Sequence, residues 1–360
     1  MKNKQLIYLK KPDNTFPDSA ENIFKVSESQ ITLKSLKQGD FVVQVHYVSV
    51  DPVMRVWLSG AETYYPKLKQ GDVMHCFGVG IVIYSNNSQM NVGSQVFGNL
   101  GIQQYSLVDK SRRKMVFPLP QQQDFPSIKL IDYLNLVNNG MAAYMGCIEV
   151  CQPKPGQTIL VSTAAGATGL LVCQLAKQKG CKVIGITGSN RKCDFLKGVI
   201  QIDEAINYKT QNLSEVLKNY KIDMYFDNVG EETLDLAIRQ INQKGRIALC
   251  GAMGNYNDYN NRKGIKNYLM IVLKRIFMKG ITFTEVGEKM PEVLEYYSNS
   301  IKEGQIKTYI EEFESIEKLP EALKFCFNGD NIGKVVVKIQ DISFEEACKE
   351  VFKQNSLSSL

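Results

Sequence analysis

Histidine is scarce in this chain, with only His46 and His75, and tryptophan occurs once, as Trp57. No apolar run reaches membrane-spanning length. No block of basic residues interleaved with aromatics offers a nucleic-acid surface. The first residues, MKNKQLIYLKKPD, lack the apolar core and small-residue cleavage site of a signal peptide. These absences leave a globular chain whose partners are expected to be small molecules or other copies of itself, with neither membrane nor nucleic acid among them. Cysteine is the exception to scarcity. The nine residues Cys76, Cys147, Cys151, Cys173, Cys181, Cys193, Cys250, Cys326 and Cys348 fall mostly inside apolar segments and form no C-x-x-C pair. They read as buried, reduced thiols in a cytoplasmic setting rather than as disulfides or metal ligands. The net charge of +6 comes from scattered lysines, which is compatible with an anionic ligand but does not require one.

At 360 residues the chain accommodates two domains. Up to about residue 125 it alternates short strands with glycine turns, at 6–9, 24–27, 41–50, 78–84, 95–97 and 104–108. That texture predicts a partly closed barrel. From 126 onward apolar strands alternate with helical stretches, predicting a doubly wound parallel sheet. Helices are expected at 130–136 and 141–149, separated by Asn138, Asn139 and Gly140, and an amphipathic helix is expected at 266–278. The last strand, at 334–339, is expected to rejoin the first domain. The expected boundaries are therefore 1–125 with 315–345, then 126–314, and a polar, frayed tail at 346–360. A cleft between two domains is the simplest architecture for a ligand site.

The segment from Thr158 to Thr187, TILVSTAAGATGLLVCQLAKQKGCKVIGIT, organises the second domain. A strand at 159–161 enters a turn of small residues, a helix follows at 170–179, Gly180 stops it, and a second strand runs over 182–187. Ala164 stands at the first position of the usual G-x-G-x-x-G pattern, with Gly166 and Gly169 at the second and third. Such a turn lets the backbone approach a dinucleotide pyrophosphate held at a helix N-terminus. A cofactor with a free 2′-hydroxyl normally meets an acid at the end of the second strand. Here that strand runs into Gly188, Ser189, Asn190, Arg191 and Lys192. Basic residues oppose the dipole of a helix start unless an anion is present, so Ser189, Arg191 and Lys192 point to a 2′-phosphate and hence to NADPH.

A zinc-dependent dehydrogenase needs three ligands around the metal, and His75-Cys76 is the nearest thing to a cluster. Metal-free hydride transfer suits an acceptor polarised by hydrogen bonds, such as a carbon–carbon double bond conjugated to a carbonyl. His46 reads as a solvated or hydrogen-bonded strand residue. Trp57 is either core filler or the wall of a pocket, and Tyr64 and Tyr65 share that ambiguity.

Several stretches together carry a family resemblance: VHYVSVDPVMR, LKQGDVMHCFGVG, AAGATG, INYKT, YFDNVG, GRIALCGAMGNYN and GDNIGKVVVK. The chain resembles the zinc-free branch of the medium-chain dehydrogenase/reductase superfamily that holds the prostaglandin reductases, leukotriene B4 12-hydroxydehydrogenases and 2-alkenal reductases. The resemblance spans residues 5 to 340. It implies a GroES-like barrel domain, a Rossmann domain and, as is usual in that branch, a homodimer. By motif match it places Ala165, Gly166, Ala167, Thr168 and Gly169 at the pyrophosphate and Lys192 at the 2′-phosphate, and it matches Tyr208 to the cofactor-binding tyrosine of the NYKT stretch. Asn228 falls near the nicotinamide ribose. Cys250, Gly251, Ala252, Met253, Gly254, Asn255 and Tyr256 form the loop past the nicotinamide, and Ile281, Thr282, Phe283 and Asn331 complete the cofactor set. Tyr256 matches the tyrosine that approaches the substrate carbonyl or the ribose hydroxyl, where it would stabilise an enolate; the alternative is a tyrosine that shapes the pocket.

The implied activity is NADPH-dependent reduction of an enal or enone. A quinone oxidoreductase and a non-enzymatic, crystallin-like NADPH-binding protein remain as alternatives. The family's Met-Pro-Gly-Leu-Thr-Ala-Tyr stretch is replaced here by Asn138-Asn139-Gly140-Met141-Ala142-Ala143-Tyr144, which removes a proline and a hydroxyl. Val53 stands where the family has an aromatic, and Asp258, Asn260, Asn261 and Arg262 follow Tyr256 in place of prolines.

Overall fold

The computed structural model describes residues 1–12, 16–60, 66–120, 123–256, 264–282, 288–340 and 342–356. The first part of the chain forms β1 (Lys2–Tyr8), β2 (Phe24–Gln30), β3 (Phe41–Val50), β4 (Phe77–Ser85), β5 (Gln95–Asn99), β6 (Tyr105–Val108) and β7 (Val116–Pro118). The middle forms β8 (Thr158–Val161), β9 (Lys182–Thr187), β10 (Glu204–Asn207), β11 (Ile222–Asp227), β12 (Ile241–Leu249) and β13 (Phe277–Gly280). β14 (Ile310–Glu314) and β15 (Lys334–Lys338) follow. Contacts divide the chain into one unit of Met1–Leu134, Ile310–Asp330 and Val335–Leu360, and another of Asn135–Tyr309 and Asn331–Lys334.

In the first unit seven strands run in the order β14-β15-β3-β4-β5-β7, with β6 also paired to β3. β3 is the axis of this sheet, because its apolar residues are buried along nearly its whole length and it pairs antiparallel with β15, β4 and β6. Its register against β4 slips between Val45 and Tyr47, at His46. Trp57 is core filler here: it is 5% exposed and meets Phe77 edge-on at 6.0 Å. Phe77 in turn stacks on Phe97 at 5.5 Å. The residues read as a frayed tail include a helix, Phe344–Ser356. Its Ala347 and Val351 are buried against Val42, Ile83 and Tyr105.

The second unit is a six-stranded sheet, β10-β9-β8-β11-β12-β13, with every neighbour pair parallel. Its apolar strands are covered by helices, and Leu160, Ile184, Tyr225, Ile238 and Ile247 share one core. The chain winds outward from β8 to β10, then returns to β11 and winds the other way. The reversal between β8 and β11 is the switch point where ligands of such sheets bind. Two expectations are corrected. Asn138–Gly140 does not separate two helices: wide-turn segments at Leu134–Gly140 and Met145–Cys151 carry the helical path through Met141–Tyr144 without a break. The amphipathic stretch at 266–278 contains only a short helix, Tyr268–Lys274, after which Arg275 turns into the left-handed region (φ 54°) and the edge strand β13 begins.

Candidate functional site

Apart from Asn331, each segment of the sequence-derived site follows the C-terminal end of a parallel strand. β8 is followed by the small-residue turn, β9 by 188–192, β10 by Tyr208, β11 by Asn228, β12 by 250–256 and β13 by Ile281 and Thr282. Phe283 lies outside the described residues, as do Tyr64, Tyr65, Asp258, Asn260, Asn261 and Arg262.

At the first turn Thr163 takes a positive φ of 47°, a rare conformation for a β-branched residue. The following helix starts three residues earlier than expected, spanning Ala167–Gln178, with Gly166 as an extended N-cap that offers no side-chain cap, and with no acid in the first turn. The helix's Leu170 N–H is the first to bond back, to the Gly166 carbonyl at 2.9 Å. Among the described residues nothing accepts from the N–H groups of Thr168 and Gly169, while a parallel bridge between Gly166 and Gly333 turns the Ala167 N–H toward the Gly333 carbonyl. Uncapped donors of this kind, reinforced by the helix dipole, form an anion site.

Packing explains the turn's composition. A Cβ on Gly169 would sit 2.3 Å from the Thr163 carbonyl oxygen and 2.8 Å from Ala164 Cα, so helix and turn touch through bare backbone. The departure at Ala164 is matched one strand away: a Cβ on Gly185 would meet the Ala164 methyl at 2.7 Å. The methyl fills the space that the neighbouring glycine leaves. Asn331 and the turn around it close over the same place. Asn331 is 9% exposed and donates to the Gly333 carbonyl at 2.7 Å, and the Gly333 N–H donates to the Ala165 carbonyl at 2.9 Å. Asn139, where the family has proline, donates from Nδ2 to Thr168 Oγ1 at 3.1 Å.

After β9, Ser189 caps the Asn190–Gly198 helix by accepting from the Lys192 N–H at 3.3 Å. Lys192 is only 7% exposed, whereas Arg191 lies on the surface. Gly188 lies close against Tyr208: a Cβ would meet Tyr208 Cε1 at 3.2 Å, the Tyr208 hydroxyl at 3.4 Å and Lys209 Cε at 3.4 Å. Tyr208 itself is 51% exposed. The structure thus brings Gly188 and Tyr208 together and adds Lys209, which sequence reasoning missed although it stands beside Tyr208 in the quoted INYKT motif. Buried Asn207, also missed, ties these loops together by donating to Asn190 Oδ1 at 2.7 Å and accepting from the Lys209 N–H at 3.1 Å.

Across the switch point, the Asn228 N–H donates to Ser162 Oγ at 2.8 Å, and Asn228 Nδ2 donates to the Ser162 carbonyl at 2.7 Å. Asp227 holds the turn with one carboxylate oxygen, which accepts from the Tyr225 hydroxyl and from the N–H groups of Val229 and Gly230 at 2.7–3.0 Å. Burial nevertheless raises its pKa above the usual carboxylate value. The Asn228 carbonyl oxygen accepts from the Met253 N–H at 3.2 Å, and Gly251 packs directly on it. The Cys250 thiol is pushed up to about 12 by burial and, secondarily, by Asp227, so it is not a nucleophile. Tyr256 follows the short Met253–Asn255 turn. Its hydroxyl accepts from the Ala252 N–H at 3.4 Å, which leaves its own proton to donate. Burial is the main cause raising its pKa, against a lowering by Ala252 and with a further increase from Cys250. The phenol is therefore protonated at neutral pH.

Among the described residues no three His, Cys, Asp or Glu side chains gather where they could hold a metal ion. Cys76 instead turns its thiol onto the Ser49 carbonyl at 2.9 Å. His75 is lowered in pKa, first by burial and then by Arg112. His46 is neither solvated nor hydrogen-bonded through Nε2, which is buried with no partner, and burial lowers its pKa as well.

Residues 4–116 match the family model described as the N-terminal domain of oxidoreductase, and residues 167–299 match the model described as zinc-binding dehydrogenase. The chain is 36% identical over 316 residues to the NADP(+)-dependent 2-alkenal reductase of Nicotiana tabacum, covering 86% of this chain and 89% of the relative. It is 36% identical over 299 residues to prostaglandin reductase 1 of Oryctolagus cuniculus, covering 79% and 81%. The crystal structure of CurA in complex with NADPH, from Vibrio vulnificus, superposes with a TM-score of 0.82 at 30% identity, covering 94% of this chain and all of the other, 100%. The chain belongs to the zinc-independent medium-chain dehydrogenase/reductases, in the group of the prostaglandin and alkenal reductases. Its two units are accordingly a GroES-like domain and a Rossmann-like domain.

Proposed function

We propose that the protein is an NADPH-dependent reductase of the carbon–carbon double bond of α,β-unsaturated aldehydes or ketones. The observation that carries this reading is the start of the Ala167–Gln178 helix, which has no side-chain cap and leaves the N–H groups of Thr168 and Gly169 for an anion. Ala165, Gly166, Ala167, Thr168 and Gly169 would hold the diphosphate, with Asn331 closing the turn. Gly188, Ser189, Arg191, Lys192 and Tyr208 would hold the 2′-phosphate, and the absence of an acid after β9 supports NADPH over NADH. Asn228, the 250–256 loop, Ile281 and Thr282 would line the nicotinamide end. The named relatives, an NADP(+)-dependent 2-alkenal reductase and a protein crystallised with NADPH, support the same choice.

Bound there, NADPH would supply a hydride to the β carbon of the conjugated acceptor. The Tyr256 hydroxyl then donates to the carbonyl oxygen as negative charge develops on it. Its raised pKa keeps the proton in place during turnover. Solvent supplies the proton that completes reduction at the α carbon.

A second copy of the chain is the proposed partner. Tyr268, Leu269, Val272 and Leu273 are 57–66% exposed and Phe277 is 44% exposed, all next to the sheet edge at β13. This is an apolar surface suited to a two-fold contact. Replacing Leu273 and Val272 by Glu should convert a dimer to monomer in light scattering, and an unchanged mass would overturn this contact. The nine free thiols support a reducing, cytoplasmic location.

The test is NADPH oxidation with a medium-chain 2-alkenal, a 15-oxo-prostaglandin-like enone and a small quinone. Enal or enone turnover is expected, and Tyr256→Phe should lower kcat by about 100-fold while leaving NADPH affinity unchanged. Turnover of the quinone alone would overturn the enone assignment, and no turnover at all would favour a binding protein.

A further inference from the structure

Asn139 sits in the wide-turn segment Leu134–Gly140, at the position where the family resemblance expects proline. Its Nδ2 donates to Thr168 Oγ1 at 3.1 Å, and its Oδ1 is buried with no partner. Thr168 is the second residue of the helix that starts without a side-chain cap. A hydroxyl has one proton and two acceptor sites. The Asn139 amide occupies an acceptor site, and among the described residues no group accepts the Thr168 proton. The hydroxyl is thereby committed as a donor, in the same turn as the open N–H groups of Thr168 and Gly169. A proline at 139 could not do this, because it has no side-chain donor.

We propose that Asn139 is a positioning residue for the cofactor, fixing the Thr168 hydroxyl as a donor to the diphosphate. The inference rests on the reading of this turn as a diphosphate site. A donor chain of amide to hydroxyl to anion also polarises the hydroxyl, so the last bond strengthens when the first is made. The binding energy of the turn then depends on a side chain that itself makes no contact with the ligand.

The experiment is a double-mutant cycle read by calorimetric titration of the purified, full-length protein. The ligands are NADPH and adenosine 2′-monophosphate, the second of which carries the 2′-phosphate but no diphosphate. Asn139→Ala and Thr168→Val should each weaken NADPH binding by about 5- to 10-fold, and the double variant should lose no more than either alone. Asn139→Asp, which can only accept, should take the Thr168 proton for itself and weaken NADPH by more than Asn139→Ala does. Affinity for adenosine 2′-monophosphate should be unchanged in all of them, which a general loss of structure would not leave untouched. Losses that multiply in the double variant would overturn the proposal, as would wild-type NADPH affinity in Asn139→Ala. If the unmodified protein binds adenosine 2′-monophosphate but gains nothing from the diphosphate of NADPH, the reading of the turn fails, independently of Asn139.

Discussion

The two units of the chain put their strand ends to different uses. In the parallel sheet all six strands point the same way, so the segments that leave them gather along one edge of the sheet without any special device. In the antiparallel unit neighbouring strands point oppositely, and the segments that follow them are divided between two edges. Candidate ligand groups accumulate in the first case and are dispersed in the second. The ionisable groups are divided as well. Both histidines lie in the antiparallel unit, while Asp227, Cys250 and Tyr256 lie in the parallel one.

The largest effect should come from Gly169→Val. The added side chain meets backbone at 2.3 and 2.8 Å, and overpacking that backbone cannot relieve costs about 3 kcal/mol or more. Calorimetry should show the parallel unit destabilised and titration should show NADPH binding lost. Gly198→Ala, at a position with nothing within 4 Å, is the control and should change neither. If Gly169→Val bound NADPH normally, close helix–turn contact would not be what shapes the site.

Next in size is Lys192→Ala, which removes a charge-assisted contact worth about 1.5–3 kcal/mol. It should weaken NADPH by about 10- to 100-fold and leave NADH almost unchanged. Equal losses for both would detach Lys192 from the 2′-phosphate. Smaller again is the Ala164–Gly185 pair. Gly185→Ala should destabilise by about 1–3 kcal/mol, and adding Ala164→Gly should recover part of that in a thermal melt, the contact with Ile202 Cδ1 at 2.8 Å remaining. Recovery of nothing would mean that the two positions do not share one space.

The smallest effect separates the units by pH. His46 and His75 have pKa values lowered in the fold from 6.5. Their contribution is full above that value and is lost as pH falls below it, where the unfolded chain takes up protons that the fold refuses. Asp227, raised by burial, has the opposite sign and is helped by acid. Trp57 is the only tryptophan and belongs to the antiparallel unit, so its fluorescence reports that unit alone. It should respond to acidification at a higher pH than NADPH binding does, and His46→Phe should delay the response. Simultaneous loss of both signals would erase the distinction. Alkaline pH should not discriminate, since Tyr133 in one unit and Tyr144 in the other are both pushed up to about 12.

Much of this was legible in the sequence, and the parts that were not share a cause. Strands such as Phe41–Val50 and Lys182–Thr187 could be read to the residue, because their apolar pattern is set by burial that the local sequence carries. β7 and β14 were missed because each is short and is held by partners remote in sequence. The stretch at 266–278 was misread because its apolar residues are divided, with Ile276 in the core and Tyr268, Leu269, Val272, Leu273 and Phe277 exposed, so periodicity did not mark where the short helix gives way to an edge strand. Motifs nominated Gly166, Lys192, Tyr208 and Asn331 as site residues. They could not show that Lys209 lies with Tyr208 at Gly188, or that Asn139 reaches Thr168, since such contacts depend on the packing of segments far apart in the chain.

The Ser162–Asn228 contact has a consequence for how the protein is made. It joins residues separated by 66 positions, with β9, β10 and their helices synthesised in between. The switch point therefore cannot exist until the chain has passed through one half of the sheet and come back beside β8. A truncated or half-folded chain would have the small-residue turn but not its opposite wall. Ligand that binds only the finished sheet withdraws completed molecules from the unfolded pool, by about 2.7 kcal/mol at a hundredfold excess over Kd. Cofactor supply would in this way set how much of the newly synthesised chain persists as protein.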